Sequence, residues 1–573
     1  MQQDDRTSRP FIVGGHLTVP AWRFISELGR LRALIVISEA VAPPDCQLSN
    51  VDILSEREAI ERFERRFQYD TPAAAIWFGP VWNFRAAQFW LRKRLAFPFI
   101  PFFVGILDQE SAPTESRILY TLLKHRIVEG CFASIEPAVL QNNDSVCTAR
   151  VLISPDPAAV AVWIDSRQAS RQKSLLWVDT SATRQSPAMR SLIGSAPALA
   201  KAGWELNVWC NTTDLSVQHA NIIRLPKTTG PSSIPLFAFF FTSNFYGALH
   251  RWITGTRPAA IIQTTCGYLL SADICAVHFC NPAWIEIAKK LGHLDFKDHL
   301  RLLMHRIGSV FERWQFSSKS LKLLLPVSYG IGDAVRDHYR TKIRQIVLPN
   351  DYDDTVFNSQ TISLHRNTIR KALGIKPDEI IFGFTSYGHY RRKGFWLIID
   401  ALKVLAEKEV TNIRLMVIGG ADSAIAQLKR TLDRHFSAWS KFILFVGQQK
   451  QVERYLAAAD AFLFPSYFEA ASRAEVEAAA MGLPLFLTPH CGTEQFPREQ
   501  IRGAWLEYDG FDIAKKMLAL ANGEIPTRPI SVGGALKPGE YADQLNSIYD
   551  ELREQTKVDL EGQSANGAIK PEV

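Results

Sequence analysis

Three glutamates fall within nine positions of the stretch PSYFEAASRAEVEAAAMGLP, residues 465–484. Glu475 follows Ser472 in the S-x-x-E pattern, where a serine caps a helix and a glutamate reaches back to it. The helix then runs through VEAAAM and stops at Gly482, with Pro484 beyond. That spacing gives Glu475 a structural job. Glu469 lies ahead of the cap, in the loop after the apolar run AFLFP, and Glu477 lies about one turn inside the helix. Amides at the start of such a helix bind phosphates. A carboxylate just ahead of that site can touch a sugar on the phosphate, and one a turn further in can accept hydrogen bonds from ribose hydroxyls. The pair suits a nucleotide sugar.

Such a site needs a parallel sheet behind it, because loops at the carboxyl edge of these sheets bind ligands. Short apolar runs alternate with helical patterns over most of the chain, which predicts α/β domains with parallel sheets. From Leu175 the strands read LLWVD, ELNVWC, AAIIQTT, ICAVHFC, KLLLPVS and QIVLPN, with helices over about 187–201 and 333–339. A further unit reads EIIFGF, a helix over about 394–408, IRLMVIGG, KFILFVG, a helix over 452–459, and AFLFP. The first ~165 residues weakly echo the middle unit, with FIVGGH, a helix over 21–28, LRALIVIS, AAAIWFG, PFIPFFVG, EGCFASI and ARVLIS, and are either a degenerate copy of it or an unrelated α/β domain. The expected domains are 1–165, 172–358 and 359–555, with a polar, disordered tail over 556–573.

A chain of 573 residues exceeds a single core. It is 47% hydrophobic and 21% charged, with a net charge of +7 that suits an anionic small molecule or lipid surface as well as nucleic acid. Basic residues are spread and balanced by acids, which argues against nucleic acid. The start, MQQDDRTSRP, has no apolar signal region, and the aromatic runs PFIPFF and PLFAFFF fall short of a membrane span. Eight cysteines without CxxC pairs suggest neither a zinc site nor a disulfide framework, so a reducing cytoplasm is the expected compartment. FWLRKRLAFPFIPFF, with Arg92, Lys93 and Arg94, is a candidate for peripheral contact with an anionic membrane face; a buried helix and strand with one basic turn is the alternative.

In this order the blocks resemble family 4 retaining glycosyltransferases of GT-B fold. Glu469 and Glu477 form the E-x7-E pair, followed by AAAMGLP. FVGQQKQVERYLAAADAFLFPSYFE resembles the family's run into that motif, and VSYGIGDAVRDHYRTKIRQIVLPNDYDDTVF its domain junction, with Asn350 in the P-N position. FTSYGHYRRKGF resembles its basic diphosphate loop, and IRLMVIGG the next strand. The resemblance covers roughly residues 172–550, most densely the last 220. It implies two Rossmann-like domains facing a cleft, here preceded by an additional Rossmann-like domain.

The resemblance also implies roles. Arg392 and Lys393 would neutralise the diphosphate, where breaking a glycosyl–phosphate bond builds negative charge. Glu469 would hold the donor sugar near the reacting carbon and Glu477 the ribose. Ser472 and Arg473 join the donor-binding set. Gly419, Gly420 and Gly447 would let backbone approach the nucleotide, or are turn glycines. His278, ending ICAVHFC, would contact the donor sugar or assist the acceptor, or is a satisfied structural histidine. Asp460 reads as structural. Retention needs no separate base if the leaving phosphate takes the acceptor's proton. No metal or other cofactor is expected, since no strand-ending Asp-x-Asp is present.

The pattern departs from the family in two places. The loop VDTSATRQSP, with Thr180, Ser181 and Thr183, lacks the usual glycines, while Gly14 and Gly15 stand at the corresponding place in the first domain. Ala470 follows Glu469 where glycine is common. The expected activity is transfer of a sugar from a nucleotide diphosphate sugar to a glycan, lipid-linked or polysaccharide acceptor. A degenerate nucleotide-sugar-binding scaffold is the alternative; an epimerase or phosphorylase fits less well.

Overall fold

The computed structural model describes, before residue 151, residues 11–15, 19–31, 34–37, 42–49, 51–54, 58, 74–78, 102–106 and 130–133. From 151 it describes all but 154–155, 184–185, 187, 214–219, 230–232, 255–256, 292–295, 497–500, 526–534 and 567–573. Apart from its last two residues, the basic-aromatic stretch 89–103 lies outside the described residues. The chain divides into two compact units, one of residues 1–189, 196–263 and 549–573, the other of 190–195 and 264–548.

The first unit contains a seven-stranded parallel sheet. Its order, by first residue, is Val51, Leu34, Phe11, Ala74, Phe102, Gly130, Val151. In chain order that is 3-2-1-4-5-6-7, a doubly wound sheet. The helix Val19–Leu31 spans more than the eight residues expected, and buries Trp22, Ile25 and Leu28. In the same unit Ser174–Val178, Glu205–Cys210 and Ala220–Arg224 run parallel. SLLWV is buried at every position, as a strand covered on both faces must be. After it, Asp179 turns the loop by accepting from the Ser181 amide (2.9 Å), and Ser181–Ala182 pairs with Thr212–Thr213.

The second unit carries the candidate site. Ile274–Val277, Leu323–Pro326 and Arg344–Gln345 run parallel. A six-stranded parallel sheet follows, in the order Ile443, Ile413, Ile380, Ala461, Leu485, Gly503. This is again 3-2-1-4-5-6, so the chain reverses direction across the sheet between Ile380–Thr385 and Ala461–Phe464. Ligands bind in the crevice beyond such a switch point. Phe382, Phe384, Phe395, Phe464 and Phe486 fill the layers on either side.

Asp460 is structural, as its position suggested. It accepts hydrogen bonds from Arg366, from Arg370 (3.1 Å) and from the Ile381 amide (2.7 Å), tying the helix Ser359–Ala372 to two central strands.

Among the described residues no helix is long and apolar enough to cross a membrane. Several elements differ from expectation. QIVLPN contributes only Gln345 to a strand. The last helix runs Pro538–Asn566, past the expected start of the tail.

Candidate active site

Two loops flank the switch point. The first follows Ile380–Thr385 and carries Arg392 and Lys393; the second follows Ala461–Phe464 and carries Glu469. They are joined by backbone. The Tyr467 amide donates to Arg392 O (2.9 Å) and Ser466 Oγ donates to the same carbonyl (3.1 Å). Gly394, which ends the first loop, has φ +72°, and a Cβ there would stand 1.8 Å from Pro465 O. Only glycine permits both the left-handed backbone and this approach.

The charges meet at this seam. Arg392 Nη2 lies 3.4 Å from Glu469 Oε1, and Arg392 Nη1 donates to Phe468 O (3.2 Å). Glu469 Oε1 is buried yet accepts no hydrogen bond within the protein. The Lys393 ammonium sits over the Phe464 ring, 4.8 Å from its centroid, and donates to Thr385 O (3.4 Å). Burial lowers the Lys393 pKa, and the carboxylates of Glu469 and Glu475 oppose that shift. Phe279 lies beneath Arg392, 5.9 Å from the guanidinium carbon, and meets Phe468 edge-on.

A second cluster forms around Glu477, about one turn inside the helix Arg473–Ala480. Glu477 is buried, and its Oε1 lies 3.2 Å from Arg190 Nη1. Burial raises its pKa, against the pull of Arg190 and Arg473. Arg473 Nη1 donates to Asp351 Oδ1 (3.0 Å) and Asp351 O (2.6 Å), and its other amino group to Ser191 Oγ. Asn350 Nδ2 donates to Ala471 O (3.2 Å), so the P-N junction grips the loop between the two glutamates. His278 follows Ile274–Val277; burial, and then the charge of Arg473, lower its pKa to about 4. It is a neutral imidazole at physiological pH.

The S-x-x-E pattern does not form a capping box. Ser472 occupies the N-cap of the helix Arg473–Ala480, but its side chain caps nothing. Glu475 instead faces inward, where its Oε1 lies 3.0 Å from His490 Nε2, both side chains wholly buried. The third helical position here points at the core, and an inward carboxylate pairs with the nearest donor rather than with an exposed amide. Ser472 is itself buried.

Gly419 and Gly447 end neighbouring strands, and the Gly419 amide donates to Gly447 O (2.8 Å). Gly419, at φ +103°, makes room for Ser386 O of the first loop, 2.6 Å from where a Cβ would stand. Nothing comes within 4 Å of that position at Gly447. Arg190, Ser191, Asp351 and His490 were not legible as site residues. Arg190 stands 287 positions from Glu477, and no local pattern links the two.

Residues 379–522 match the family described as glycosyl transferases group 1. This region contains every expected donor-side residue. The chain is 31% identical over 231 residues to the lipopolysaccharide glucosyltransferase WaaG of Escherichia coli (strain K12), covering 39% of this chain and 55% of WaaG. It is 30% identical over 155 residues to the amylovoran biosynthesis glycosyltransferase AmsK of Erwinia amylovora, covering 26% and 37%. A UDP-Gal:alpha-D-GlcNAc-diphosphoundecaprenol alpha-1,3-galactosyltransferase of Escherichia coli is 23% identical over 180 residues, covering 31% and 45%. The chain thus spans about half the length of these relatives or less. Among solved structures, WaaG superposes with a TM-score of 0.50 at 21% identity, over 66% of this chain and 98% of WaaG. Sucrose-phosphate synthase from Thermosynechococcus elongatus does so at 0.51 and 18%, over 66% and 99%. These likenesses place the group 1 region within a GT-B fold.

Proposed function

We propose that the chain is a glycosyltransferase that moves a sugar from a nucleoside diphosphate sugar to a glycan or lipid-linked acceptor, retaining the configuration at the anomeric carbon. One observation carries the reading: at the switch point, the buried Glu469 Oε1 accepts no hydrogen bond while the Arg392 guanidinium stands beside it. A sugar hydroxyl supplies the missing donor, and the diphosphate next to that sugar meets Arg392 and Lys393.

In this reading the bond from the anomeric carbon to the phosphate oxygen breaks with its electron pair going to the diphosphate. Arg392 and Lys393 stabilise that charge where water is excluded. The acceptor oxygen attacks the same face, and its proton passes to the leaving phosphate oxygen. Glu469 orients the sugar, Glu477 receives the ribose hydroxyls, and Ser472 and Arg473 complete the donor end. His278, neutral, is the candidate contact on the sugar's other side. The cations suffice to hold the diphosphate, so the reading includes no metal.

The names of the relatives direct the acceptor toward surface polysaccharide, lipopolysaccharide or a diphosphate-linked lipid, and make UDP the first nucleotide to try. Calorimetric titration with UDP, GDP and ADP, followed by a sugar screen with the nucleotide that binds, tests it. Binding and turnover are expected. Binding without turnover of any sugar would favour the scaffold alternative, and no binding to the folded protein would overturn the donor site.

A further inference from the structure

His490 is wedged between two oxygens. Its Nδ1 lies 2.9 Å from Thr488 O and its Nε2 lies 3.0 Å from Glu475 Oε1. A carbonyl only accepts, so Nδ1 carries a proton. Two species then satisfy the second contact: imidazolium against carboxylate, or neutral imidazole accepting from a protonated carboxyl. Each has one proton between Nε2 and Oε1, and each is neutral overall. Removing that proton sets a lone pair against a carboxylate and leaves a net negative charge in the core. Burial penalises such a charge heavily.

The pair joins the helix that bears Glu477 to the segment after Leu485–Leu487. That segment braces the Glu469 loop: a Cβ at Gly492 would stand 2.6 Å from Ala470 O. Glu494 fastens it by accepting from the amides of Gly492 and Gly330 (2.6 Å each). Glu475 Oε2 is buried with no hydrogen-bond partner. Lys393 and Glu469 both act electrostatically on Glu475, and Glu469 also on His490.

We infer that Glu475 and His490 are positioning residues for the nucleoside diphosphate: their shared proton braces the Glu469 loop and keeps the ground behind Lys393 uncharged, so the anion binds more tightly while the proton is held. This rests on the donor-site reading above. Burial and the Glu469 charge raise the Glu475 pKa, against His490 and Lys393; Glu475 and Glu469 raise that of His490 against burial. Giving up the shared proton leaves a net negative charge in the core, so it is rising pH that works against the pair. Other groups around the pair are Cys491, whose pKa burial raises to about 11, Glu494, and Tyr508, which donates to Pro489 O (2.6 Å).

Calorimetric titration with UDP from about pH 7 to about pH 9.5 tests this. In the wild type Kd is expected to rise on the order of tenfold, the effect of one added charge near a bound anion. In Glu475→Gln the amide donates to Nε2 and cannot ionise, so the rise is expected to fall below about twofold. Lys393 sets the opposite expectation, because losing the Glu475 carboxylate makes the lysine easier to deprotonate. An alkaline loss that persists or deepens in Glu475→Gln would therefore assign it to Lys393 and overturn the inference, as would a flat wild-type profile. The double variant Glu475→Leu/His490→Leu removes both partners, a change buried pairs often tolerate, and should also be flat. If the wild type binds none of UDP, GDP and ADP, the donor-site reading itself fails; binding with an unaltered Glu475→Gln profile removes only the pair's role.

Discussion

Arg392 Nη2 stands 3.4 Å from Glu469 Oε1, a charge pair without a hydrogen bond. The cation and the carboxylate thus hold each other in place across the switch point, close enough to attract and too far apart to satisfy one another. Glu469→Gln keeps the shape and removes the charge. We expect turnover to fall about a hundredfold, as loss of orientation at a reacting centre does, with the affinity for bare UDP changed far less. Steady-state kinetics beside calorimetry separates the two; equal losses would remove Glu469 from the sugar.

Glu477 is engaged by Arg190, so the ribose and the arginine compete for one carboxylate. Glu477→Ala is expected to weaken UDP binding by about tenfold, the worth of hydrogen bonds to a charged group. Arg190→Ala is expected to leave the carboxylate available and to bind UDP no worse than the wild type. A loss of affinity in Arg190→Ala would mean that the arginine touches the nucleotide itself.

Gly394→Ala combines a strained left-handed φ with a contact of 1.8 Å to Pro465 O. The strained backbone alone costs about 1–2 kcal/mol, and relief requires the Arg392–Lys393 turn to part from the Glu469 loop. Chemical denaturation should show at least that loss, and UDP binding should drop with it. Gly447→Ala, with open space around it, should show only the backbone cost.

Glu312 supplies a pH prediction. It accepts from the Asn281 amide (3.2 Å), from Asn281 Nδ2 (2.5 Å) and from Tyr339, yet burial outweighs these bonds and pushes its pKa up to about 7 from 4.5. A folded pKa raised above the unfolded one favours the protonated, folded form. That stability is complete below the unfolded value and is lost as pH rises through about 7. Denaturation midpoints between pH 5 and pH 8 should therefore fall less in Glu312→Gln than in the wild type; parallel profiles would show that Glu312 does not titrate in this range.

The sheet around the site was legible because its central strands are buried on both faces, Ala461–Phe464 and Leu485–Leu487 at every position. EIIFGF, IRLMVIGG, KFILFVG and AFLFP are predominantly apolar runs, and each yields a strand. Even the four later strands of the first sheet, with weaker patterns, fall where the runs predicted. What failed was local pattern judged without its surroundings. S-x-x-E looks the same whether the glutamate faces water or core, and only His490, 15 positions on, decides. Likewise no local pattern reveals that Asn281, His305, Glu312 and Tyr339 interlock across up to 58 positions of chain.

Asp460 stands at one end of the four-residue strand Ala461–Phe464 and Glu469 lies beyond the other. A strand that short is a strut of about 13 Å, with its foot bolted by Arg366, Arg370 and the Ile381 amide. Novelty can therefore accumulate at the tip without redrawing the frame. A lineage, or a designer, seeking a different sugar can vary the residues around Glu469 while Asp460 keeps the datum from which the new specificity is measured.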